Sequence, residues 1–159
     1  IDTSRFSDAT PSQFQDPEGY WFGLSLRART LVYHPQQVKA QQLNDYESLA
    51  DPQWKKRICV RSSNNIYNQS LVASMIAHHG VEATQQWANH LVNNFARNPQ
   101  GGDRDQIKAV AAGLCDIAII NSYYLGSMLN GSKTEQAAAK QVKLFWPNQN
   151  GRGVHMNIS

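Results

Sequence analysis

The sequence predicts an α/β domain with a largely parallel sheet flanked by helices. Short apolar runs typical of strands recur along the chain, and helical patterns of roughly ten to fifteen residues separate them. Asn, Gly and Pro turn signals mark most of the junctions. A length of 159 residues allows one compact domain with a substantial core.

The first third of the chain predicts loops and two extended regions. Residues 1–20 are polar and rich in turn signals, such as Asp16-Pro17, so we expect an irregular segment there. Residues 20–33 alternate well enough for one or two strands. Pro35 and the polar run after it indicate a loop or short helix, and residues 58–60 form a short apolar strand candidate.

Helices dominate the remainder. A helix over 65–79 is stopped by Gly80, and the next carries apolar residues at four-residue intervals. Asp103 with Gln106 three residues on predicts a capping box opening the third helix, with a solvated first turn. The remaining predicted elements are helices over 82–95, 103–113, 123–129 and 132–141, and strands over 115–120, 142–146 and 154–158.

Charge and composition exclude several classes of protein. The net charge of +3 is spread thinly, and the basic cluster at residues 55–57 predicts a solvated turn, so we expect no nucleic-acid partner. Apolar content of 41% is ordinary for a globular domain. The sequence has no apolar run of about eighteen residues, the length that predicts a membrane-spanning helix.

Cys59 and Cys115 could form a disulfide, remain buried thiols or contribute to a metal site. They form no CxxC pair, which disfavours zinc. Each lies in or beside a predicted strand, and neighbouring strands bring Cα atoms within disulfide reach. We therefore expect a disulfide and an oxidising compartment.

Three tyrosines stand at positions where α/β folds bind ligands. Tyr123 and Tyr124 follow a predicted buried strand and open a helix, and Tyr67 lies in the first turn of another helix that follows a strand. Ligands of open α/β sheets bind at the carboxyl ends of strands. Taken alone, each tyrosine is more simply explained by packing.

A cluster of phenols would suit a hard, highly charged cation. A free phenol has a pKa of about 10, so a strong Lewis acid such as Fe(III) is needed to displace its proton at neutral pH. Carboxylate, imidazole or a small anion would complete the coordination. The sequence contains no cluster of Cys and His residues, which argues against a zinc or copper site. His78 and His79 are neighbours on one predicted helix, so their side chains point in different directions and do not form a metal-binding pair.

Other patterns leave weaker alternatives open. The turn before Tyr67 offers free backbone N–H groups for an anion. A small α/β enzyme using Asp103 or Asp116 has no supporting spacing, and we find no GxSxG, HExxH or P-loop motif. A binder of another small ligand, such as an anion or a polyamine, and a non-catalytic interaction domain also remain open.

Three runs of sequence resemble a known family: RICVRSSNNIYNQSLVASMIAHHG, NFARNPQGGDRDQIKAVAAG and CDIAIINSYYLG. They are similar to the periplasmic ferric-iron-binding proteins of bacteria, in particular the cyanobacterial type. The resemblance implies a two-lobed periplasmic binding protein that closes on iron. It further implies that this chain, shorter than the family members, corresponds to the second lobe: a remnant of the first lobe over 1–25, the ligand-bearing lobe over 26–150 and a return hinge strand over 151–159.

The resemblance also implies the site. The expected Fe(III) ligands are Tyr67, Tyr123 and Tyr124. Residues expected to place charge near them, or to hydrogen-bond the tyrosinates or a synergistic anion such as carbonate, are Arg27, Ser63, Asn64 and Asn121. Arg29 is an alternative to Arg27. The implied protein is a non-enzymatic, monomeric carrier in the periplasm, whose partners are its first lobe and an ABC-type permease in the inner membrane.

Overall fold

The computed structural model describes residues 8–158, and five strands and five α-helices organise this part of the chain. The strands are β1 (Leu26–Tyr33), β2 (Ile58–Cys59), β3 (Ile117–Asn121), β4 (Lys143–Phe145) and β5 (Met156–Ile158). The helices are α1 (Ile66–His79), α2 (Val81–Asn93), α3 (Asp103–Ala111), α4 (Ser122–Leu129) and α5 (Lys133–Ala139). Short 3₁₀ helices lie at Ser12–Phe14, Ala40–Gln42, Glu47–Ala50 and Pro52–Trp54.

The strands form one mixed sheet in the order β2-β3-β1-β4, with β5 pairing to the first half of β1. β1 runs antiparallel to β3, β4 and β5, and only β2 and β3 pair in parallel among the described strands. The expectation of an α/β fold with flanking helices is confirmed, but the expectation of a largely parallel sheet is wrong. β2, β3 and β4 are connected by helical segments and run in one direction. β1 precedes that alternation and runs the opposite way between β3 and β4, so its pairings are antiparallel.

Local signals set the helix boundaries close to the predicted ones. Asn65 caps α1, its side chain accepting a hydrogen bond from the Tyr67 backbone N–H at 3.1 Å. Gly80 separates α1 from α2 with a φ of 82°, which favours glycine. A capping box opens α5: the Ser132 hydroxyl accepts from the Glu135 backbone N–H, and the Glu135 carboxylate accepts from the Ser132 backbone N–H.

The core lies on both faces of the sheet because β1 and β3 are covered on both sides. On one face Leu31 packs with side chains of α1, α2 and the 3₁₀ segments, including Trp54 and Trp87. On the other face Val32 packs with α3, α4 and α5, including Ile107 and Met128. Strands that are buried on both faces lack a polar–apolar alternation, as in the fully buried β3.

Cys59 and Cys115 form the disulfide expected from the sequence, with Cα atoms 5.9 Å apart. Both are buried. Cys59 ends β2 and Cys115 lies just before β3, so the bond ties together the two strands that pair in parallel.

The predicted return strand pairs with the start of the predicted ligand-bearing lobe. Within the predicted remnant, the described part has a bridge between Gln15 and Phe22. β5, in the predicted return strand, pairs with β1 over Leu26–Ala28. No helix of the described residues is long and apolar enough to cross a membrane.

Candidate metal centre

The carboxyl ends of β2 and β3 bring the tyrosine-bearing turns to one edge of the sheet. Because these strands are parallel neighbours, the segments that follow them leave from the same edge. After β2, residues 60–65 form a turn that leads into α1 and Tyr67. After β3, α4 begins at once and presents Tyr123 and Tyr124 in its first turn.

The structure brings the three phenols together. The rings of Tyr123 and Tyr124 stack with centroids 4.2 Å apart and planes inclined by 29°. Burial, together with hydrogen bonding to Tyr124 and Tyr67, raises the pKa of Tyr123 above its ordinary value. Tyr123 keeps 41% of its surface exposed, and the other two rings are half-buried. The cluster therefore opens to solvent.

Protonated phenols in this arrangement share hydrogen bonds among themselves. A cation that displaced their protons would find several anionic oxygens within one small volume, which suits a hard cation. Arg104 lies over the Tyr124 ring, with its guanidinium carbon 5.3 Å from the ring centroid. This cation–π contact between α3 and α4 helps to hold the Tyr124 ring in its position.

Beneath the tyrosine turns lies a buried ionic network centred on Asp103. Its carboxylate accepts hydrogen bonds from Arg29 at 2.7 Å, from Arg61 at 3.2 Å and from the Asn121 backbone N–H at 2.7 Å. The side chains of Asp103 and Arg29 are fully buried. Burial lowers the pKa of Arg29, and the Asp103 carboxylate opposes that shift; a guanidinium keeps its proton throughout.

The expectation that Asp103 caps α3 in a solvated turn is wrong. Gly102 is the N-cap, and Asp105 supplies the side-chain acceptor for the Gly102 N–H at 2.7 Å. Sequence reasoning missed the network because Arg29 and Asp103 are 74 positions apart. The available signal was an arginine within the apolar run of β1, since a buried guanidinium requires a carboxylate partner.

The other predicted site residues surround the tyrosines at different depths. Ser63 and Asn64 are exposed in the turn before α1. Asn121 is fully buried; its Oδ1 accepts from Arg29 at 3.3 Å, and its Nδ2 has no hydrogen-bond partner within the described part of the chain. Arg27 is half-buried on β1, two positions before Arg29 and thus on the same face of the strand.

Histidines do not form a competing metal centre. His79 contacts Glu47 at 2.7 Å, and His155 contacts Ser70 at 2.8 Å. Across residues 8–158 no group of three or more His, Cys, Asp or Glu side chains is placed to hold a metal ion. The tyrosine cluster is the arrangement that offers converging oxygen donors.

Comparison with known proteins identifies a matching family and several similar relatives. Residues 3–154 match the family described as bacterial extracellular solute-binding protein. Iron uptake protein A1 of Synechocystis sp. is 49% identical over 94% of this chain, which corresponds to 42% of that relative. Iron uptake protein A2 of the same organism is 43% identical over the whole chain, corresponding to 47% of its length.

A solved structure shares the fold closely. The Trichodesmium protein IdiA (FutA), determined in complex with iron and citrate, superposes with a TM-score of 0.94 and 50% identity over the whole chain, and the chain covers 51% of it. The chain thus spans about half the length of the curated relatives it matches.

Proposed function

This chain belongs to the family of bacterial extracellular solute-binding proteins, and we propose that it binds ferric iron through Tyr67, Tyr123 and Tyr124. Solute-binding proteins are not enzymes. Two curated relatives are named for iron uptake, and a structural neighbour holds iron with citrate. Iron binding by this chain is the function that its site supports best.

One observation carries the proposal: the phenol of Tyr123 interacts with both Tyr124 and Tyr67 at the carboxyl edge of the sheet. Phenols of ordinary pKa are protonated at neutral pH. A metal must therefore compete with three protons, and a highly charged Lewis acid such as Fe(III) does so far better than a divalent ion. Because the metal must displace protons, the cluster favours highly charged cations over divalent ones.

A small anion would complete the coordination. Carbonate, or a carboxylate of the citrate type, would be held by Arg27, Ser63, Asn64 and Asn121. Ser63 and Asn64 lie in the turn where α1, a helix of 14 residues, presents its N-terminal dipole. Among residues 8–158, the buried Nδ2 of Asn121 has no hydrogen-bond partner, as expected of a donor that gains a partner on binding.

We further propose that the loaded protein acts in the periplasm and delivers iron to an ABC-type permease. The family is extracellular, and the Cys59–Cys115 disulfide suits an oxidising compartment. Because the chain spans about half of its curated relatives, further ligands and the surface that meets the permease would include residues outside this sequence.

The test is a titration of the chain with ferric citrate, followed by visible absorbance. Tyrosinate bound to Fe(III) gives a ligand-to-metal charge-transfer band, so we expect the solution to become orange to purple. Tyr123→Phe/Tyr124→Phe should abolish the band. Tyr20→Phe, the same change at a tyrosine that is 82% exposed, should leave it unchanged.

Each outcome decides the proposal. A band of unchanged position and intensity in the double variant would show that Tyr123 and Tyr124 do not bind the metal. A parent protein without any band at saturating ferric citrate would show that these tyrosines do not bind Fe(III) in this chain.

A further inference from the structure

We propose that Asp103 is a positioning residue that fixes the distance between the two tyrosine-bearing segments. This inference rests on the proposed iron site. It concerns a residue that touches none of the three phenols in the described contacts, and it assigns to one buried carboxylate the alignment of Tyr67 with Tyr123 and Tyr124.

The first arm of the network fixes the start of α4. Oδ2 of Asp103 accepts from the backbone N–H of Asn121 at 2.7 Å. Asn121 is the N-cap of α4, so Tyr123 follows two residues later. A charge-assisted hydrogen bond to a backbone N–H is short and strong. Because this bond is made to the backbone, it constrains the path of the chain, whereas a hydrogen bond to a side chain constrains only the rotamer of that side chain.

The second arm reaches the start of α1. The same Oδ2 accepts from Nη1 of Arg29 at 2.7 Å, while Nη2 of Arg29 donates to Oδ1 of Asn68. Asn68 is the neighbour of Tyr67, and its amide group donates to the Arg61 carbonyl at 2.9 Å. Arg29 thus joins Asp103 to the turn that carries Tyr67, because its planar fork has donors for both.

A third contact closes the network. Oδ1 of Asp103 accepts from Arg61 at 3.2 Å, so the carboxylate also holds the start of the α1 turn directly. Asp103 and Arg29 have no exposed side-chain surface, whereas 20% of the Arg61 side chain is exposed. Removing one partner from a buried ionic network leaves the others unpaired, so the geometry of both segments depends on this single residue.

A matched control exists at the opposite end of β3. Asp116, just before the strand, pairs with Arg57, and both side chains are partly exposed. The Arg57 side chain donates to Asp116 and to the backbone carbonyls of Gln53 and Gln37, which lie outside the segments that carry the tyrosines. Asp116→Asn therefore makes the same chemical change as Asp103→Asn without touching the proposed positioning network.

The experiment compares Asp103→Asn with Asp116→Asn in the 159-residue chain, using two readouts. The first is hydrogen exchange of the metal-free protein. We expect faster exchange in segments 62–68 and 121–124 of Asp103→Asn only, relative to a global unfolding rate measured in each variant. The second is the ferric citrate titration, in which Asp103→Asn should bind about 10- to 100-fold more weakly, as when an outer-shell partner of a metal site is lost, with a shifted absorbance maximum.

The result that overturns the inference is a folded Asp103→Asn whose exchange in both segments, band position and affinity equal those of Asp116→Asn. If Asp103→Asn does not fold, Arg61→Gln provides a second test, because it removes only the partly exposed contact to Asp103. This variant should show the same changes in exchange and in the absorbance band, but smaller ones. Unchanged exchange and an unchanged band would again overturn the inference. A parent without a charge-transfer band refutes the iron site, yet the exchange comparison in metal-free protein still decides whether Asp103 positions the two segments.

Discussion

Loss of the Cys59–Cys115 disulfide should destabilise the domain by about 4 kcal/mol. The bond closes a loop with a sequence separation of 56 residues. In the chain-entropy model, a loop of this length removes about 14 cal/mol/K from the unfolded ensemble, which is about 4 kcal/mol at 25 °C. For a domain of this size, that corresponds to a fall in Tm of about 8–16 °C.

Urea denaturation followed by circular dichroism measures the effect directly. The free energy of unfolding would be compared between oxidised and reduced protein, and with Cys59→Ala/Cys115→Ala. Both cysteines are buried and lie at the parallel β2–β3 pair. The double variant should therefore resemble the reduced protein and should not respond to reductant.

The reasoning would be refuted by an oxidised protein whose unfolding midpoint equals that of the reduced form. Thiol titration of the unreduced, denatured chain provides an independent check, because two free thiols would show that the bond is absent. A loss well above the entropic figure in the double variant, but not in the reduced wild type, would instead indicate a cavity left by the removed sulfur atoms.

Three further predictions concern pH and capping. Burial raises the pKa of Tyr46 above its ordinary value of 10, so the free energy of unfolding should fall as pH rises above about 10. Urea denaturation at a series of alkaline pH values should show a weaker dependence of that free energy on pH in Tyr46→Phe than in the parent. An equal dependence in both proteins would contradict the prediction. Burial lowers the pKa of His155 below 6.5, so its contribution is present above that pH and is lost as pH falls below it; acid titrations should show less of this loss in His155→Gln. Ser132→Ala removes the α5 cap and should lower the unfolding free energy by about 1 kcal/mol in the same assay; an unchanged unfolding free energy would contradict this.

Local features of the fold could be predicted from the sequence because their causes are local. The bounds of α1 follow from an Asn cap, an apolar period and Gly80, all within one segment. The α5 capping box needs only Ser132 and Glu135. The convergence of Tyr67 with Tyr123 follows from a topological rule, since two parallel neighbouring strands release their helices at one edge.

Features that depend on distant residues could not be predicted in this way. The direction of β1 is set by its pairing with β3 and β4, and an apolar run has the same pattern in either direction. The burial of Asp103 depends on Arg29 from β1. In isolation, Asp103 has the properties of an exposed residue in the first turn of a helix, where acidic side chains are common.

The antiparallel direction of β1 has a direct consequence for the site. Because Arg29 pairs with Asn121 and Tyr33 pairs with Ile117, the first half of β1 lies at the edge where β3 ends. A parallel β1 would have brought Tyr33 to that edge and its arginines to the opposite one. The observed direction therefore places Arg29 at the edge where β3 ends, and its guanidinium reaches both Asp103 and Asn68 there. The direction of β1, which the sequence pattern did not predict, is thus what lets the Asp103 network form beneath the two segments that carry the tyrosines.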